Sequence, residues 1–105
     1  MQLPLNQMEI FMASRPVSMK LGAEKLSEIV RSVMKEEPQS ANKVFIFRNK
    51  AGTALKILQW HNDNGWAIWH KKLIRGQFRM PIGIDRATGP LLIAGRDLEE
   101  IMDRS

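Results

Sequence analysis

The sequence predicts an α+β fold: an antiparallel β-meander with a long N-terminal helix packed on it and a short C-terminal helix. Three observations carry that expectation. Between Lys43 and Lys72, three runs rich in aromatic, branched and other large apolar residues alternate with polar turns containing glycine. From residue 18 to 35, apolar residues recur at helical spacing. Asp97 to Arg104 repeats that spacing on a smaller scale. At 105 residues, the whole of 1–105 is expected to form a single domain with a modest core.

The elements follow in order. Residues 1–12 mix apolar and polar side chains, and Pro4 argues against an earlier helix; Glu9-Ile10-Phe11-Met12 suits a short strand at the sheet edge. Ser14-Arg15-Pro16-Val17 is a loop, because the residue before a proline avoids helical dihedrals. Ser18 is the predicted N-cap of the long helix. Its inward face would carry Met19, Leu26, Ile29, Val30, Val33 and Met34, and its outer face Glu24, Lys25, Glu28, Arg31 and Lys35. Pro38 is expected to stop it.

Val44-Phe45-Ile46-Phe47 is the first strand of the meander, and Asn49-Lys50-Ala51-Gly52 turns the chain into a second, Ala54 to Trp60. Asn64-Gly65 is the strongest short hairpin signal, since both central residues of a type I′ turn need positive φ. Pairing across that turn would set His61 opposite Ile68 and Gln59 opposite His70. Trp66-Ala67-Ile68-Trp69 forms the third strand. With a period of two, Phe45 and Phe47 oppose Val44 and Ile46, Leu55 and Ile57 oppose Lys56, Leu58 and Trp60, and Trp66 and Ile68 oppose Ala67 and Trp69. Neither sheet face is cleanly polar, so both should be at least partly covered. Beyond the meander, Leu73-Ile74-Arg75-Gly76 reads as a turn, Phe78 and Met80 as a short extended piece ended by Pro81, and 82–90 as a loop. Leu91-Leu92-Ile93 is a brief strand candidate, and the last helix should turn Leu98, Ile101 and Met102 inward.

Charge is unevenly spread. The net charge is +5, but residues 1–42 sum to zero, residues 43–86 to +7 and residues 87–105 to −2. A basic block on a sheet suits nucleic acid or another polyanion, with Arg48, Lys50, Lys56, Lys71, Lys72, Arg75 and Arg79 as the candidate contacts. A phosphate-binding patch of about four to six cations predicts a log–log salt slope near −4 to −5. The same charges also suit a solvated surface. Trp60, Trp66 and Trp69 have three readings: core beneath the helices, an aromatic-rich protein interface, or a platform on which bases stack.

Other chemistry finds little support. The chain has no cysteine and two histidines, so neither a disulfide framework nor an ordinary zinc site is expected, and no cofactor. Most carboxylates fall on helical faces, and Asp63 and Asp85 suit turns. His61 and His70 suit exposed strand ends, no serine sits in a glycine elbow, and no phosphate loop is present. The expectation is a non-enzyme. No apolar run approaches the length of a membrane span and no export signal opens the chain, so a cytoplasmic location is expected.

Read together, the motifs resemble the small accessory protein encoded by the second open reading frame of insertion sequence 66 elements, often called TnpB of that family. Ser18-Met19-Lys20-Leu21-Gly22, with Leu26 beyond it, is similar to the family's opening of its first helix. Val44-Phe45-Ile46-Phe47-Arg48-Asn49-Lys50 resembles its Phe-Val-Phe-basic strand, and Leu55-Lys56-Ile57-Leu58 with Trp60 its next strand. Gly65-Trp66, Lys71-Lys72-Leu73, Gly76-Gln77-Phe78 and Pro81 complete the order. The turn at His61 to Gly65 looks one residue longer than the family's, and Ala94-Gly95 replaces a Ser or Thr cap. The resemblance implies a role in transposition beside the element's transposase, which with the absence of a catalytic constellation gives the expectation of a non-catalytic accessory protein required for transposition in a bacterial cell. It carries over no catalytic or binding residue. Direct DNA binding through the basic sheet is one expected mode. The alternative is a protein-interaction module that docks on the transposase or self-associates.

Overall fold

A computed structural model describes residues 7–62 and 65–103. The reading of residues 1–6, and of Asp63, Asn64 and Arg104, lies outside the described residues. A single five-stranded sheet organises the rest, with strand order β4-β3-β2-β1-β5. The strands are β1 (Glu9–Met12), β2 (Lys43–Arg48), β3 (Ala54–His61), β4 (Gly65–Lys72) and β5 (Leu91–Ile93). The meander is there as β2, β3 and β4, paired antiparallel.

The predicted architecture needs two corrections. First, the sheet is mixed. β1 pairs parallel with β2, aligning Phe11 with Phe45, and β5 pairs antiparallel with β1. Parallel neighbours need a long crossover, and here the crossover carries the first helix across one face. β1 is therefore an interior strand; β5 takes the edge, and Ile10, Phe11 and Met12 are all buried.

Second, there is no long N-terminal helix. α1 spans Ala23–Ile29 and continues for five residues, Val30–Met34, as a wider turn with π-type bonding. Ser18 caps a tight turn instead: its Oγ accepts the Lys20 N–H at 3.2 Å, and the Leu21 N–H reaches the Ser18 carbonyl at 3.3 Å. The helix starts from Gly22, whose extended backbone provides no side-chain cap. It ends before Pro38, where Lys35 turns left-handed at φ 60° and the Glu36 N–H bonds back to the Val30 carbonyl at 3.1 Å. That bond spans one residue more than the six-to-one bond of a Schellman motif, as the wide last turn requires, and the left-handed residue that permits it is not glycine. The underwound turn keeps Met34 beneath Val30 but rotates Val33 outward, to 62% exposure. Val33 is thus not on the inward face the spacing assigned to it.

Both faces of the sheet are covered. On one, Phe11, Phe45, Phe47 and Leu58 meet Leu26, Val30 and Met34 of α1. Phe11 and Phe45 stack with ring centres 5.7 Å apart. On the other, Ile10, Met12, Val44, Ile46, Leu55 and Ile57 meet Phe78, Ile84, and Leu98 and Ile101 of α2 (Gly95–Met102).

The β3–β4 register differs from the Asn64-Gly65 expectation. His61 faces Gly65, Gln59 faces Ala67 and Trp60 faces Trp66. This three-residue shift changes which side chains meet across the pair.

Lys35 supplies a direct test. A non-glycine residue in the left-handed region costs about 1 kcal/mol or more, so Lys35→Gly should raise unfolding stability by about 0.5–1 kcal/mol net of glycine's greater unfolded entropy. Urea denaturation checks it, with the midpoint moving up and the slope unchanged.

Candidate functional site

The basic block separates into cations tied to the fold and cations left at one end of the sheet. Arg48, the last residue of β2, is only 7% exposed. Its Nη2 donates to the Ser14 carbonyl at 2.8 Å and to Asp85 Oδ1 at 3.1 Å, so it fastens the loop after β1 to the short 3-10 turn Ile84–Arg86. Its buried Nε has no partner among the described residues. Lys56 projects toward α1 and donates from Nζ to the Leu21 carbonyl at 2.8 Å, holding the turn that leads into the helix. Lys71 donates from Nζ to the Met102 carbonyl at 3.0 Å. A cation there answers the unpaired carbonyls and partial negative charge of the C-terminal end of α2.

Lys50, Lys72, Arg75 and Arg79 are exposed and make no ion pair among the described residues. Chain reversal brings the first three together. Asn49 builds the β2–β3 loop: its Oδ1 accepts the Thr53 N–H at 2.9 Å and the Ala54 N–H at 3.0 Å, and Gly52 sits at φ 74°. That loop receives the segment after β4. The Leu73 N–H donates to the Thr53 carbonyl and the Phe78 N–H to the Gly52 carbonyl, both at 2.8 Å, and Gln77 Nε2 to the Ala51 carbonyl at 2.7 Å. Lys50 on one loop therefore lies at the same end as Lys72 and Arg75 on the other. Lys20 joins them, flanking with Lys50 a shallow groove lined also by Pro16, Ser18 and Ala51. Arg79 turns away, toward a groove it shares with Asp97 and Glu100 of α2.

The tryptophans do not form one platform. Trp60 and Trp66 lie on the α1 face in an edge-to-face pair, centroids 4.8 Å apart, with Trp66 against the core. Trp69 faces the other way and packs on the α2-side core. All three are half-buried. His61 and His70 are exposed, and the described residues hold no group of three His, Asp or Glu side chains arranged for a metal ion. No helix among them is long and apolar enough to cross a membrane.

The model of the IS66 Orf2-like protein family matches residues 8–103, nearly the whole chain. The chain belongs to that family. Membership implies an accessory role in an insertion sequence, alongside its transposition machinery. No curated protein and no solved structure matches the chain.

Against this structure, the Orf2-like motifs change meaning. Ser18 to Gly22, read as the opening of the first helix, is the turn before it, pinned by Lys56. The basic residue closing the Phe-Ile-Phe strand, Arg48, is an internal tie. Lys20 was missed because it belongs to a segment of zero net charge; only the fold brings it to Lys50.

The Arg48 tie predicts an asymmetric pair of variants. Asp85 is 84% exposed, so Asp85→Ala should cost no more than about 1 kcal/mol. Arg48→Ala removes buried packing and leaves the Ser14 carbonyl without its side-chain donor, and should cost about 2–3 kcal/mol. Paired denaturation curves check the contrast.

Proposed function

We propose that this Orf2-like protein is a non-catalytic accessory factor for transposition of its element, working in the cytoplasm and contacting DNA through the end of the sheet that carries Lys20, Lys50, Lys72 and Arg75. The observation that carries the reading is the division of the basic block. Three of the seven candidate cations, Arg48, Lys56 and Lys71, already satisfy internal carbonyls or a carboxylate. Of the four exposed ones, Lys50, Lys72 and Arg75 converge at one end of the sheet, and Arg79 turns away. The sheet faces are covered by α1 and by the C-terminal segment, so the loops, not a sheet surface, are the proposed contact. Base stacking on the tryptophans has no part in it, since Trp66 and Trp69 pack against opposite cores.

A second reading, docking on the element's transposase, is supported by one feature. An apolar groove of about 350 Å³ lies between the end of α1 and the loop before β5, lined by Val17, Ile29, Val33, Met34 and Pro90.

Salt dependence separates the two. Four phosphate contacts predict a log–log slope on duplex DNA of about −3.6. Lys50→Ala, Lys72→Ala and Arg75→Ala combined should reduce its magnitude by about 3 units, whereas Lys71→Ala should leave the slope unchanged while weakening α2. Fluorescence anisotropy at graded salt measures both. Undetectable binding at low salt for the intact protein would refute DNA contact and favour the docking reading.

A further inference from the structure

Two isoleucines stand fully in water, Ile74 at 99% and Ile82 at 103% of the reference exposure. Their surroundings differ. Ile82 borders a groove of mixed charge, where Asp97 and Glu100 stand beside Arg79, so it lacks a purely cationic surround. Ile74 sits between Lys72 and Arg75 at the basic end, on a tip held from both sides. Before it, Leu73 packs against the α2-side core and its N–H is bound by Thr53; after it, Gly76 reverses the chain at φ 76° and Phe78 is buried, its N–H bound by Gly52. The tip thus presents one bare branched aliphatic side chain on a stapled base, with cations on either side and Lys50 on the loop beneath.

Resting on the proposed DNA contact, we propose that Ile74 is a wedge that enters the minor groove of duplex DNA and opens a base step, with Lys72, Arg75 and Lys50 seated on the flanking phosphates. An aliphatic side chain left in water gains by burial against base faces. Proteins that bend DNA through the minor groove insert such residues, isoleucine among them, between base pairs while basic side chains hold the backbone. Pyrimidine–purine steps, the most easily unstacked, are the expected sites. Fixing the tip in advance removes the ordering cost that a flexible loop would carry.

The test uses the full-length protein and a short duplex with 2-aminopurine beside a central TA step, whose emission rises on unstacking. Binding is followed separately by anisotropy. The wild type should raise the emission several-fold at saturation, and Ile82→Ala should behave as the wild type. Ile74→Ala should bind about tenfold more weakly and give no rise even when the DNA is saturated. Saturable binding by the wild type with no rise, or an undiminished rise with Ile74→Ala, would overturn the wedge and leave DNA contact standing. Absence of binding at low salt would overturn both. Ile74-dependent binding to phosphatidylserine vesicles without duplex binding would overturn them as well, and assign the tip to an anionic lipid surface.

Discussion

The constraint on which this fold depends is a central strand with no wet face. Val44, Phe45, Ile46 and Phe47 of β2 are all fully buried, so the side chains on both sides need cover. A strand of that kind cannot stand in a two-layer arrangement. The chain supplies one cover before β2 is reached, as the helical crossover from β1, and the other after β4, as Phe78, Ile84 and α2. The parallel β1–β2 pair follows from the first of these, because a crossover over a face returns the chain in the same direction.

Neither cover is large, and this sets the work of the charged residues. α1 with its wide last turn is twelve residues long, and α2 is eight. Elements so short keep a high share of their backbone groups without intrahelical partners. Lys71 meets a carbonyl at the end of α2, Lys56 meets one just before α1, and Arg48 joins the loop after β1 to the 3-10 turn. Each long side chain reaches from its strand to a backbone carbonyl of another segment. A lysine count from the sequence cannot distinguish such ties from a phosphate-binding surface.

What the sequence made legible was the local pattern. The alternation in 44–47, 55–60 and 66–69 assigned strand faces correctly, and the lack of a polar face anticipated cover on both sides. Leu98 and Ile101 were placed inward as observed. The failures arose where distant partners decide. Nothing in Glu9 to Met12 indicates a parallel neighbour more than thirty residues away. Ser18 has the chemistry of a helix cap, yet the same hydroxyl closes a turn equally well. Val33 obeys helical spacing, but the i→i+5 turn that exposes it has no composition of its own. Within the candidate site, the exposed lysines and arginines of residues 43–86 were readable as charge, whereas Lys20 and the standing of Ile74 needed the packed loops.

The remaining exposed cations can be weighed against a purely structural account. β4 is an edge strand whose Trp66-Ala67-Ile68-Trp69 run would invite pairing with another chain, and His70, Lys71 and Lys72 at its end are the residue types that discourage it. Edge protection is therefore reason enough for Lys72. It gives no reason for Lys20, Lys50 or Arg75, which lie on turns and bends with no ladder to protect. Nor do these residues neutralise neighbouring carboxylates: the described ion pairs use Lys25, Arg31, Lys43 and Arg48. Placing three further like charges on adjoining loops adds mutual repulsion and no internal bond. A ligand with closely spaced negative charges reverses the sign of that term, since every added cation then releases a counterion from the polyanion. Edge protection thus leaves the convergence of Lys20, Lys50 and Arg75 beside a bare isoleucine unexplained, and the proposed DNA contact would put it to use.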